Sequence, residues 1–152
     1  MQRFLVFLIL IFSINSINAQ SGDPKVDALI RKMQKPSGQI SFTFNGQKFS
    51  EKASLIKTPK SYAVVSDMMN SQNTISFKIS SLATGKYELN TNDNVVMIQS
   101  KVYVFKGSIN LKVSGTTASG SFSGNAFAIK NKTKPSATSS GTISGTFSGL
   151  SE

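Results

Sequence analysis

The sequence predicts an all-β protein: an antiparallel β-sandwich or partly closed β-barrel of about eight or nine short strands, with one short N-terminal amphipathic helix. Three observations lead there. From Gln39 onward apolar residues alternate with polar ones at a period of two. Turn signals, Asn45-Gly46 foremost, interrupt that alternation at near-regular spacing. Only residues 23–35 carry a helical period after the extreme N-terminus.

Residues 1–19 read as a secretory signal peptide. Arg3 supplies the positive n-region, residues 4–14 the apolar h-region, and Ile17-Asn18-Ala19 a cleavage site before Gln20. The apolar run is short of the roughly 20 residues a spanning helix needs, and no later stretch could cross a bilayer as a helix. Residues 20–38 hold a polar leader and then the helix. Asp23 suits the N-cap, Pro24 the first turn, and Val26, Leu29, Ile30 and Met33 recur as one apolar stripe. Lys35, Pro36 and Gly38 close it. Such a basic amphipathic helix either packs its stripe across the open end or edge of a sheet or rests on a membrane surface, and its three turns favour the sheet.

Residues 39–152 form a single antiparallel β domain. Ile40, Phe42 and Phe44 share a face, and a two-residue Asn45-Gly46 turn pairs Phe44 with Gln47, Phe42 with Phe49 and Ile40 with Glu51. Glu51 therefore faces inward at the end of an apolar face. Residues 61–66 and 73–80 are the next strands, the second with Ile75, Phe77 and Ile79 inward; the loop between them carries Met68 and Met69. Residues 84–89 and 95–100 follow, separated by an Asn/Asp-rich turn. Residues 101–106 and 108–114 read as consecutive strands meeting at Gly107, followed by a Thr/Ala/Ser/Gly turn. Finally, Ser119-Gly120-Ser121-Phe122-Ser123-Gly124 is echoed by Ser144-Gly145-Thr146-Phe147-Ser148-Gly149, two similar strands bracketing a polar, basic, exposed loop at 131–140. The glycines in these last strands mark bulges, bends or a thin edge.

Three pieces in this order, Phe44-Asn45-Gly46 leading to Phe49 and Ala53, Gly85-Lys86-Tyr87-Glu88-Leu89, and Gly107-Ser108-Ile109-Asn110-Leu111 running into Ser119-Gly120-Ser121-Phe122-Ser123, resemble a domain-of-unknown-function family of small exported envelope proteins of diderm bacteria. The resemblance spans residues 39–150. It implies a fold and a compartment, and it brings no catalytic residues. Members are often lipid-anchored, whereas this chain has no cysteine to carry a lipid.

Composition excludes more than it assigns. With no cysteine there is no disulfide, thiol nucleophile or thiolate metal site, and with no histidine the commonest general base and metal ligand is also missing. A glycosidase-type pair would have to come from Glu51, Glu88, Asp67 and Asp93, of which Glu51 alone is turned inward by the hairpin register. No cofactor or metal is expected, and the chain reads as a non-enzyme. The formal charge is +10, or +9 once Arg3 leaves with the signal, and the mature cations are all lysine except Arg31. That balance attracts anionic surfaces such as acidic glycan, lipopolysaccharide or phospholipid. One arginine is poor equipment for reading base edges, which argues against sequence-specific nucleic-acid binding.

The expected function is therefore a secreted or periplasmic binding module, not lipid-anchored, that meets an anionic envelope or extracellular polymer. Lys101, Lys106, Lys112, Lys130, Lys132 and Lys134 are the contact candidates. The alternative is a barrel that carries a small apolar ligand among its phenylalanines.

Overall fold

A computed structural model describes Asp23, Pro24, Asp27 and residues 35–67, 71–130 and 134–151. Among them are ten strands: β1 (Gly38–Phe44), β2 (Gln47–Thr58), β3 (Ser61–Ser66), β4 (Thr74–Ile79), β5 (Gly85–Leu89), β6 (Val95–Ile98), β7 (Lys101–Ser114), β8 (Thr117–Lys130), β9 (Lys134–Pro135) and β10 (Gly141–Ser151). All pairings are antiparallel. The order β7-β6-β4-β3-β2-β1-β10-β8 returns to β7, so eight strands close a barrel. Of the expected sandwich or partly closed barrel, the structure has the barrel, and it is closed.

β5 and β6 lie end to end along the same edge of β7, β5 against its second half and β6 against its first. The Asn-rich turn breaks what is otherwise one strand position. Buried Asn94 fills that break: its Oδ1 accepts the Lys78 N–H at 3.0 Å and its carbonyl accepts the Phe105 N–H at 3.1 Å. Donors on both flanking strands thereby keep partners where the ladder is interrupted. Closure is secured across β1 and β10. At one end Asn45 accepts the Thr142 N–H and donates to the Ser140 carbonyl; at the other Ser37 Oγ accepts from the Ser151 N–H and donates to its carbonyl.

The first hairpin has the register expected of it, with Phe42 opposite Phe49 and Ile40 opposite Glu51. Asn45 and Gly46 both have positive φ, as a tight hairpin turn requires. Inside the barrel Phe77 touches three other rings, Phe105, Phe122 and Phe147, at centroid distances of 6.4, 5.1 and 5.7 Å. An eight-stranded barrel is just wide enough for side chains to fill, and these four rings fill the middle of this one.

Their room comes from glycine. The two echoed hexapeptides are cross-strand neighbours: Gly120 pairs with Phe147, Ser121 with Thr146, and Phe122 with Gly145. Each phenylalanine therefore lies over the other strand's glycine. A Cβ on Gly120 would come within 2.8 Å of the Phe147 ring, and one on Gly145 within 2.7 Å of the Phe122 ring. The echo is a reciprocal packing device between β8 and β10, the two strands that bracket residues 131–140. Only Gly149, with φ of 69°, sits at the one register shift between β10 and β8.

Two further expectations change. Gly107 is no junction, because β7 runs through it without a turn; a Cβ there would strike the Ser123 carbonyl on β8. The inward phase Phe105, Gly107, Ile109, Leu111 passes unbroken through the glycine. The turn that follows is only Gly115-Thr116, with Thr117 already in β8. The described part of the basic loop is tied to β8, with Ser136 N–H donating to Ala128 and Ser140 N–H to Ala126. The leader, most of the expected helix, and Met68 and Met69 lie outside the described residues.

Crowding and backbone conformation can be separated by mutation. Gly145→Ala should lose about 2 kcal/mol or more, because the new methyl would strike the Ser41 carbonyl on β1 as well as the Phe122 ring. Gly115→Ala, at φ of 59° with open space around it, should lose only about 1 kcal/mol. Urea unfolding of the two variants checks this; equal losses would mean that close packing is not what requires glycine at position 145.

Candidate functional site

The alternation that fills the core also fixes what the wall shows to solvent, and along part of the barrel that surface is made of hydroxyls. Register builds two rows across six strand segments. One runs Ser50, Ser41, Thr146, Ser121, Asn110, Lys86. The other runs Lys48, Thr43, Ser144, Ser123, Ser108, Glu88. Both cross β2, β1, β10, β8, β7 and β5 in turn, about 24 Å at ordinary strand spacing. Gln39 and Ser148 pair just beyond, with Lys52 on one flank. Ser41 and Ser50 hydroxyls lie 3.1 Å apart, and Ser41, Thr43, Lys48, Ser144 and Thr146 border a shallow open depression that Phe42 and Phe49 also line.

Charge on this face is one-sided. Lys48, Lys52, Lys86, Lys106 and Lys112 occupy outward positions, against the single carboxylate of Glu88. All six are exposed. Lys106 and Lys112 stand six residues apart on β7 with Ser108 and Asn110 between them, about 20 Å along the strand. The Lys106 ammonium also lies 5.3 Å from the Phe127 ring centroid, a cation–π contact that holds its stem against the wall.

Of the lysines expected to form a site, Lys106 and Lys112 share the hydroxyl-bearing face, while Lys130 and Lys134 pair with each other away from it. Lys101 is exposed but pairs with Ile98 at the far end of β7, in the other phase of the alternation. Lys134 is exposed in the two-residue β9, where its backbone pairs with Lys130 beyond the end of the barrel wall. Lys132 lies outside the described residues. Sequence reasoning missed Lys48 and Lys52 on β2 and Lys86 on β5, which come onto one wall with Lys106 and Lys112 only through the β1–β10, β10–β8 and β7–β8 pairings. Their signal was the outward phase of each strand, readable once strand order is known.

The four candidate carboxylates do not converge. Glu51 is inward and half-buried and accepts a 2.6 Å hydrogen bond from Ser71 Oγ. Glu88 is on the outer face, Asp93 lies 3.8 Å from the Lys78 ammonium, and Asp67 follows β3 with its N–H on the Lys52 carbonyl. Glu51 and Glu88, on opposite sides of the wall, cannot flank one scissile bond. No helix among the described residues is long and apolar enough to cross a membrane.

Compared with protein-family models, curated proteins and solved structures, the chain has no significant match in any of the three. Its function has to be argued from the face itself.

The hydroxyl rows point away from the core, so their removal should leave the fold intact. The variant Ser41→Ala/Ser121→Ala/Thr146→Ala is expected to unfold within about 1 kcal/mol of the parent in urea, as exposed surface changes do.

Proposed function

We propose that this protein is an exported, non-enzymatic binding module that holds an acidic polysaccharide along the outer face of β2, β1, β10, β8, β7 and β5. Cleavage of residues 1–19 would release it, without a lipid anchor, into the periplasm or the medium. The observation that carries the reading is the coincidence of two hydroxyl rows and five lysines with one carboxylate on one continuous stretch of the outer wall. Serine and threonine hydroxyls both donate and accept, which suits them to sugar hydroxyls, while lysine ammonium groups supply point charges for carboxylate or sulfate.

The same face argues against the other anionic partners. No outward aromatic stands in the two rows for bases to stack on. No apolar side chain stands there to enter a phospholipid surface either. The interior is poorly suited to an apolar cargo, because Phe77, Phe105, Phe122 and Phe147 occupy the place a ligand would take.

The test is binding of the chain from Gln20 onward to a polyuronate, with dextran as the neutral control, across a salt series. Affinity should fall as salt rises. Lys48→Ala/Lys106→Ala/Lys112→Ala should weaken binding about tenfold, at about 0.5 kcal/mol per exposed charge, and flatten the salt dependence. The triple hydroxyl variant should weaken binding at every salt concentration without changing the slope. Equal binding to dextran, or a triple lysine variant that binds like the parent, would overturn the reading.

A further inference from the structure

The barrel has a second outer face, and it is apolar. Register places Ser54, Val65, Ser76, Val95, Val104 and Phe127 in one row that crosses β2, β3, β4, β6, β7 and β8. All six point away from the core, since their chain neighbours Leu55, Val64, Phe77, Val96, Phe105 and Ala126 belong to it. Yet none is more than 9% exposed. Ile56 and Ala63, paired in the next row, are equally covered, and Val102 and Ile129 pack beside Val95, Val104 and Phe127 in a cluster separate from the core. No strand of the closed wall can lie over its own outside.

We propose that the row is the seat of this chain's own N-terminal segment, residues 23–35, lying as a helix with Val26, Leu29, Ile30 and Met33 against it. Connection comes first. Gly38 pairs with Ala53, so Ser37 stands beside Ser54, the first residue of the row. Ser37 is fixed there by two hydrogen bonds to the Ser151 backbone. The segment thus meets the barrel where the row starts.

Length agrees as well. Six strands span about 24 Å, and thirteen helical residues about 20 Å. At the segment's start the Asp27 N–H donates to the Asp23 carbonyl at 3.0 Å, the i to i+4 bond of a helical turn. Shape agrees too, because five of the six row residues are serine or valine, small enough to let a helix axis approach the sheet. With the stripe seated, Lys25, Arg31, Lys32 and Lys35 are left for the solvent side. Tethering favours this occupant over a second copy or a membrane, since a short linker gives an effective concentration in the millimolar range.

The chain has no cysteine, so introduced pairs report without background. In the chain from Gln20 onward, Leu29→Cys would be combined in turn with Val65→Cys, Val95→Cys and, as a control on the hydroxyl face, Thr146→Cys. Mild oxidation should give an intramolecular disulfide with at least one row position and none with Thr146→Cys. Disulfide-linked dimers in place of it would assign the row to a second copy, and no disulfide in any pair would also overturn the proposal. A variant keeping the full segment, Leu29→Lys/Ile30→Lys, should gain binding of an apolar fluorescent dye in solution. Dye binding at the parent level would overturn it too, as would loss of dye on adding anionic vesicles to the parent if the parent already bound dye. None of these readouts depends on whether the opposite face binds polysaccharide.

Discussion

Four phenylalanine rings have to share the middle of one narrow barrel, and much of the structure follows from making room for them. Phe77, Phe105, Phe122 and Phe147 come from four different strands and meet within 6.4 Å of Phe77 or of one another. At native packing density that is possible only if facing inward positions are nearly empty. They are: Gly107, Ala118, Gly120, Gly124, Ala126 and Gly145 occupy the inward phase of β7, β8 and β10. Glycine and serine are weak strand formers, so these strands are held by long-range burial rather than by local preference. From Lys106 to Lys112 on β7, from Ser121 to Asn125 on β8 and from Thr142 to Ser148 on β10 the outward positions bury little, which leaves them open to polar side chains.

Closure is the second condition. Pairing β1 with β10 joins segments about a hundred residues apart and removes the unpaired edges that an open sheet of this length would expose. Asn45 and Ser37, which clamp the two ends of that seam, do so with side-chain amide and hydroxyl groups on backbone groups. The seam also unites Lys48 and Lys52 on β2 with Lys106 and Lys112 on β7, so the charged face exists only in the closed barrel. Lys106 over Phe127 marks the border, with hydroxyl-bearing wall on one side and apolar wall on the other.

What could be read in the chain alone tracks how local the cause is. The register of the first hairpin was legible down to the residue pair, because a two-residue turn and a period of two leave one solution. The junction at Gly107 was misread for a local reason: glycine between two alternating runs has the look of a turn. The unbroken odd-numbered phase from Phe105 to Leu111 was the better guide, and only the Ser123 carbonyl on the next strand explains why glycine is needed. The echo was visible, but its meaning lies in the Gly120–Phe147 and Gly145–Phe122 pairings between strands. Of the candidate face, Lys106 and Lys112 were legible in the chain; Lys48, Lys52 and Lys86 come onto the same wall only through the pairings among β2, β1, β10, β8, β7 and β5, which charge along the chain does not reveal.

The form of the face bears on the form of its ligand. A small molecule is held in a concave site that buries most of its surface and fixes it with a few convergent polar groups. Here the polar groups do not converge: they lie in parallel rows on an open wall, with lysines about 20 Å apart on β7 and others on the far flank. Each exposed charge on such a wall contributes a fraction of a kcal/mol, so a ligand meeting one or two of them would not stay. A ligand that repeats its charge and its hydroxyls along its own length can meet all of them, and each further contact is then made at high effective concentration. Lysine rather than arginine fits that arrangement, since a flexible point charge tolerates sliding register where a bidentate fork would demand one geometry. An extended polymer would therefore suit the proposed site better than any single small anion would.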